Sequence, residues 1–148
     1  MPVVFLNFAL IIINPIQIVR LHKLKFLLTV VPANVEDASV QHLLKHYSKG
    51  IKQEFELQAN EYTEIFLIYD GADAVGIFVG ERPEDSMIVN FDFISPKYRE
   101  DSVARCLFAY LRDDGVKTIA ATSSSEKYRK YLWRMSFEDD GGVFVKNL

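Results

Sequence analysis

A chain of 148 residues, 49% hydrophobic and 25% charged, has the length of one domain and enough apolar material for a core without disulfides or metals. The net charge of −3, from 17 Lys and Arg against 20 Asp and Glu, argues against nucleic acid as a main partner, because phosphate binding needs a basic face. Cys106 is the only cysteine, so no intrachain disulfide can form, and a reducing cytoplasm is the expected compartment.

The N-terminal stretch is apolar from Pro2 to Val19, interrupted by Asn7, Asn14, Pro15 and Gln17, and followed by Arg20, His22, Lys23 and Lys25. A signal peptide carries its positive charge before the apolar run, not after it. The run barely reaches membrane-spanning length and holds polar residues and a proline, which counts against membrane contact. Residues 1–24 are therefore expected to be an extra strand or an anchor, and residues 25–148 the folded domain. Within that domain, residues 25–31 are β-branched and aromatic and end at Pro32, which predicts a strand. Asn34 is a candidate helix cap for a stripe of Val40, Leu43, Leu44 and Tyr47 that Gly50 would stop. Residues 51–63 have no clear pattern. Residues 65–69 and 75–79 flank Asp70-Gly71-Ala72-Asp73, the chemistry of a hairpin turn.

Residues 87–94 predict a fourth strand, with Ile88, Asn90, Asp92 and Ile94 on one face and Val89, Phe91 and Phe93 on the other; Ser95-Pro96 ends it. Val103, Ala104, Leu107, Phe108 and Leu111 form a helical stripe closed by Asp113-Asp114-Gly115. Residues 116–121 predict a buried strand. One of Ser123, Ser124 and Ser125 would cap a helix whose stripe is Tyr128, Tyr131, Leu132 and Met135, and Asp140-Gly141-Gly142 turns a final hairpin. The fold class is mixed α/β. Alternating strands and helices in the C-terminal half require parallel pairing there, whereas tight turns in the middle require antiparallel pairing.

Several constellations reduce to structure. His42 and His46 have the spacing of two ligands on one helix face, but no third ligand is near in sequence, and no metal is expected. Cys106 falls on the predicted helix and reads as a buried, inert thiol. Acid clusters such as Glu138, Asp139 and Asp140 read as solvated ends; an acidic rim for a cationic amine is the sharper reading.

Residues 93–99, Phe-Ile-Ser-Pro-Lys-Tyr-Arg, with the helix that follows and residues 125–137, resemble the GNAT superfamily of acyl-coenzyme A-dependent N-acetyltransferases. The resemblance runs from about Phe26 to Leu148, and residues 125–137 are also similar to small GNAT-like proteins of bacteriophages. Family members carry a valine-x-proline-x-tyrosine-arginine run and then Gln/Arg-x-x-Gly-x-Gly/Ala opening a helix, where free amides and the dipole hold a diphosphate. Arg99, Glu100, Asp101, Ser102, Val103 and Ala104 stand at those positions, with Ser102 for the first glycine and two acids that a helix start welcomes and a diphosphate does not.

The resemblance implies a central mixed sheet and a cofactor cleft beside Phe93 and Ile94. It also implies acetyl-CoA as co-substrate and a small-molecule or peptide amine as acceptor, with a homo-oligomer or a larger assembly as the expected context. Asp92 is the candidate base. The family's aromatic-Tyr-x-x-x-Gly-Phe run maps onto Tyr131, Leu132 and Ser136-Phe137, so Leu132 falls where a proton-donating Tyr belongs and Tyr131 is the candidate acid one position earlier. Two functions follow: an N-acetyltransferase, or a GNAT-like binding or structural protein without chemistry.

Overall fold

The structure, a computed structural model, describes residues 4–6, 9–11, 27–98 and 101–148, with side chains from residue 27 onward. In chain order the elements are β1 (Val4–Leu6), β2 (Ala9–Ile11), β3 (Leu28–Ala33), α1 (Ala38–Ile51), β4 (Thr63–Asp70), β5 (Asp73–Glu81), β6 (Ser86–Ile94), a 3-10 turn (Pro96–Tyr98), α2 (Asp101–Asp113), β7 (Thr118–Ala121), α3 (Glu126–Arg134), β8 (Glu138–Asp140) and β9 (Val143–Asn147). They form one sheet in the order β2-β1-β3-β4-β5-β6-β7-β9-β8. Every neighbouring pair is antiparallel except β6 and β7. This is the mixed sheet expected from the sequence, with the parallel pair where a helix, not a turn, joins the strands.

Each face of the sheet buries its own apolar layer. Val40, Leu43 and Leu44 of α1 meet Ile65, Leu67, Ile77, Val79 and Phe93 on one face. Val103, Leu107 and Leu111 of α2, Leu132 of α3 and Met135 at its C-cap meet Ile68, Phe78, Met87 and Ile119 on the other. Helical spacing in the sequence dictates these stripes, and each fully buried aliphatic side chain contributes about 1.5–3 kcal/mol of transfer free energy.

Local chemistry sets the boundaries, sometimes away from the predicted residue. Pro32 lies inside β3 instead of ending it; among the described residues the register contact with β1 is at Leu28, and no described outer strand pairs at Pro32 to require its missing donor. Asn34 does not cap α1. Asp37 takes the N-cap position and its carboxylate accepts from the Asn34 amide at 3.0 Å, a local bond that moves the helix start three residues on. Gly50 does not stop α1 either; Lys52, at φ 55°, ends it.

The ends of α2 and α3 are built alike. The Val116 amide donates to the Leu111 carbonyl and the Gly115 amide to Arg112; the Phe137 amide donates to Leu132 and the Ser136 amide to Trp133. This is the Schellman arrangement, with buried apolar pairs Leu111–Val116 and Leu132–Phe137. Its left-handed residue is Gly115 at φ 95° in the first case and Ser136 at φ 68° in the second.

Candidate functional site

The parallel pairing of β6 with β7 runs only from Ser86–Thr118 to Ile88–Ala120, and β6 continues beyond it to Ile94. The strands part there, and α2 and α3 cover the opening. Two cavities result. An inner chamber of about 20 Å³, the size of one water, is walled by residues including Val89, Asp92, Ile94, Ile119, Phe108 and Leu132. An outer cleft of about 460 Å³ is lined by Tyr47, Phe93, Ile94, Asp101, Lys127 and Arg134 among others. Asp92, Ile94, Tyr128 and Tyr131 border both.

A β-bulge aims Asp92 into this space. Val79 pairs with Phe91 but Gly80 pairs with Val89, leaving Asn90 as the extra residue. Side chains at Met87 and Val89 face the α2 layer before the bulge, and Ile94 faces it afterwards, while Phe91 and Phe93 join the α1 layer. Asn90 is exposed, so the predicted common face of Asn90 and Asp92 does not form. Gly80 is what lets the bulge close: a Cβ there would lie 2.6 Å from the Ile88 carbonyl oxygen and 2.7 Å from Met87 Sδ.

Asp92 keeps part of its surface through the cleft, yet burial raises its carboxyl from an ordinary 3.8 to about 6, against a lowering by the Tyr128 hydroxyl that donates to it. Tyr128 and Tyr131, one helical turn apart, stack with centroids 5.7 Å apart and planes at 24°. Burial first, then the Asp92 charge, holds both hydroxyls protonated well above the usual tyrosine range. Leu132, 1% exposed, points into the core and reaches only the inner chamber. Thus α3 presents Tyr131, not Leu132, to the open cleft.

At the start of α2 the predicted binding run divides. Arg99 and Glu100 lie outside the described residues. The Asp101 carboxylate is held by Arg134 of α3, Nε to Oδ1 at 3.0 Å, and the same guanidinium stands 5.6 Å from the Tyr131 ring. Ser102 is 5% exposed and its Oγ has no hydrogen-bond partner among the described residues. A buried, unpartnered hydroxyl costs about 1–3 kcal/mol, and a ligand acceptor would relieve it. Val103 and Ala104 are buried in the core, so their side chains are packing, and Ala104 also borders the inner chamber. Just ahead of this helix, the Tyr98 hydroxyl donates to Asp70 at 2.9 Å and the Ser95 amide to the Val75 carbonyl, fixing the turn out of β6.

The sequence alone marks Tyr128 as a core aromatic and does not single out Arg134. Tyr128 is findable, since its spacing to Tyr131 puts two hydroxyls on one helix face. Arg134 is not, because its partner is 33 residues away. Cys106 is fully buried and its thiol is pushed up to about 12 by burial, so it stays protonated. His42 and His46 do not face a third ligand, and among the described residues no group of three or more His, Cys, Asp or Glu could hold a metal. No described helix is long and apolar enough to cross a membrane.

No protein-family model and no curated protein matches the chain. Solved structures do. An acetyltransferase from Thermus thermophilus superposes with a TM-score of 0.61 at 19% identity, covering 82% of this chain and 97% of the other. The putative N-acetyltransferase YhhK from E. coli, bound to coenzyme A, gives 0.60 at 16% identity over 82% and 98%. The ribosomal-protein-S18-alanine N-acetyltransferase from Escherichia coli gives 0.54 at 12% identity over 80% and 90%. The chain has the GNAT fold. At these identities the likeness concerns the fold alone.

Proposed function

We propose that the chain is an N-acyltransferase that moves an acetyl group from acetyl-CoA to a small-molecule or peptide amine in the cytoplasm, using Asp92 as base and Tyr131 as acid. The observation that carries this reading is the Asp92 carboxyl, turned by the bulge into the mouth between the parted strands and raised to about 6, where a general base for neutral pH works well. The residues present fit the co-substrate. The orphaned Ser102 hydroxyl and the first amides of α2 suit a phosphate, and the outer cleft has room for an extended arm beside Phe93 and Ile94. Asp101, an obstacle in the bare sequence, has its charge offset by Arg134.

Acetyl-CoA supplies the activated acyl carbon. Asp92 accepts the proton lost by the amine as the carbon–nitrogen bond forms, directly or through a water in the inner chamber. Tyr131, kept protonated by burial, donates a proton to the sulfur as the carbon–sulfur bond breaks. The walls around the two cavities hold the reacting groups together.

A second reading keeps the fold without the chemistry, as a binding or structural protein, and it draws on Leu132, whose buried side chain fills the position where the resemblance places a proton donor. Calorimetry with acetyl-CoA and coenzyme A separates the two, followed by thiol release in the presence of a panel of amines. Micromolar binding lost in Arg99→Glu, with amine-dependent thiol release, is the expected result. Absence of binding by folded protein at millimolar ligand would overturn the enzyme reading.

A further inference from the structure

A second recess, about 340 Å³, lies on the outer side of α2 against β9. It shares no lining residue with the outer cleft. Arg105 and Arg112, two turns apart on α2, approach it from one side and Lys146 from the other, and no Asp or Glu side chain lines it. In a chain of net charge −3 this is a local reversal of sign.

These cations have spare capacity. Among the described residues Arg105 and Lys146 form no ion pair, and Arg112 has only a 3.6 Å contact with its exposed neighbour Asp113. The Lys146 ammonium donates once, to the Met135 carbonyl at 2.8 Å, leaving further N–H donors. It also lies 5.7 Å from the Phe108 ring and 6.0 Å from Phe137. Burial, and after it the nearby Arg105 charge, lower the Lys146 pKa. The floor beneath them is apolar, from Phe108, Ala109 and Met135.

A cationic rim over an apolar floor selects a ligand with an anionic head and a flat or aliphatic body. We propose that this recess is a binding site for a phosphate-bearing molecule, its phosphate held by Arg105, Arg112 and Lys146 and its apolar body lying on Phe108 and Met135. The cationic recess is a feature of this face whether or not the chain transfers acyl groups; only the coenzyme as its source rests on that reading. Its ligand can be the nucleotide end of a coenzyme whose other end lies in the cleft, or a separate phosphorylated compound; the chemistry is the same.

The test is an amide NMR titration of the full chain at low salt with 2-naphthyl phosphate, and with inorganic phosphate as the head alone. Saturable shifts confined to Arg105, Phe108, Arg112 and Lys146 are expected, tighter for the naphthyl ester, with at least about a tenfold loss in Arg105→Gln/Lys146→Gln. Arg112→Gln, which leaves the Lys146–Met135 bond in place, is expected to weaken binding as well, so the result does not depend on one variant folding. Coenzyme A added to the naphthyl phosphate complex identifies the source: displacement assigns the site to the coenzyme's own phosphate, and simultaneous binding assigns it to a separate ligand. Shifts scattered over surface lysines, or affinities unchanged in both variants, would overturn the proposal.

Discussion

The two faces of β6 sit in the same strand and differ in what they bury. Phe91 and Phe93 face α1, where Tyr47 meets their rings at 4.9 and 5.4 Å and Phe55 stacks on Phe91 at 4.8 Å. Asp92 faces α3, where a carboxyl and two tyrosine hydroxyls are largely buried, and at the start of α2 the unpartnered Ser102 hydroxyl is buried as well. The first face follows the rule that aromatic surface stabilises by burial and edge-to-face contact. The second breaks it, holding polar groups in places that cost stability. Such a local conflict, in a sheet otherwise consistent with its sequence, is where a functional site is expected.

The sharpest way to separate the faces is Asp92→Asn. On the proposed mechanism it lowers the acylation rate roughly 10²–10⁴-fold, whereas Phe91→Leu on the opposite face lowers stability and leaves the chemistry in place. The same substitution has a stability effect of opposite sign. Well below 3.8 the carboxyl is protonated folded and unfolded, and its burial costs little. Between 3.8 and about 6 the unfolded chain releases the proton while the folded one retains it, so stability falls as pH rises through that window. The full cost, on the order of 3 kcal/mol, persists above about pH 6. Urea unfolding of Asp92→Asn should therefore show a more stable protein than the wild type near neutral pH, converging with it near the ordinary carboxyl value of 3.8. Wild-type activity should rise with pH through about 6. A variant that is no more stable near neutral pH would mean that Asp92 is not strained by its surroundings.

Gly80→Ala attacks the device that makes the faces differ. The added methyl meets the Ile88 carbonyl at 2.6 Å, a backbone atom that cannot swing aside. Either the bulge shifts or it is lost, and losing it would turn Asp92 to the other face, because side chains alternate along a strand. Denaturation should show about 1–3 kcal/mol lost, and the acid limb should disappear from the activity profile. Gly76→Ala is the comparison: its nearest obstacle is the end of the Ile68 side chain at 3.0 Å, so the cost should be smaller.

What could be read from the sequence follows from the range of the interactions concerned. The hairpin through Asp70-Gly71-Ala72-Asp73, the Ser125 cap of α3 and the last turn at Gly141-Gly142 are decided by neighbours in the chain, and all three form where expected. Asp92 could be named as a candidate from its place near the end of a strand. Its direction could not, because the bulge at Asn90 is created by Gly80 in a different strand and defeats simple alternation. The acids at the start of α2 mislead in a similar way: Asp101 reads as a repulsive charge until Arg134 arrives through the packing of α3 on α2. Long-range partners decide what local pattern leaves open.

Tyr128→Phe sharpens the polar face more gently. The hydroxyl's bond is the one influence that lowers the Asp92 carboxyl, so its removal leaves burial unopposed and should move the acid limb of the pH profile upward from about 6. Tyr131→Phe should leave that limb nearly in place and lower the plateau instead. If the two variants gave the same profile, Tyr128 would have no specific hold on Asp92.

The smallest expected effect lies at the end of α3. Ser136 stands where the resemblance places glycine and adopts φ 68°, a left-handed conformation that costs a side-chain-bearing residue about 1 kcal/mol relative to glycine. Gly115 fills the matching position after α2 with no such cost. Ser136 is exposed, so Ser136→Gly should raise stability by up to about 1 kcal/mol in thermal or urea unfolding. Glycine also has more freedom to lose from the unfolded chain, which trims the gain. Activity should not change, since the Schellman bonds that set the angle of α3, Phe137 to Leu132 and Ser136 to Trp133, are made by the backbone. A loss of stability would show that the serine side chain holds the helix end in a way its exposed position does not suggest, and Tyr128 and Tyr131 would then depend on it for their place beside Asp92.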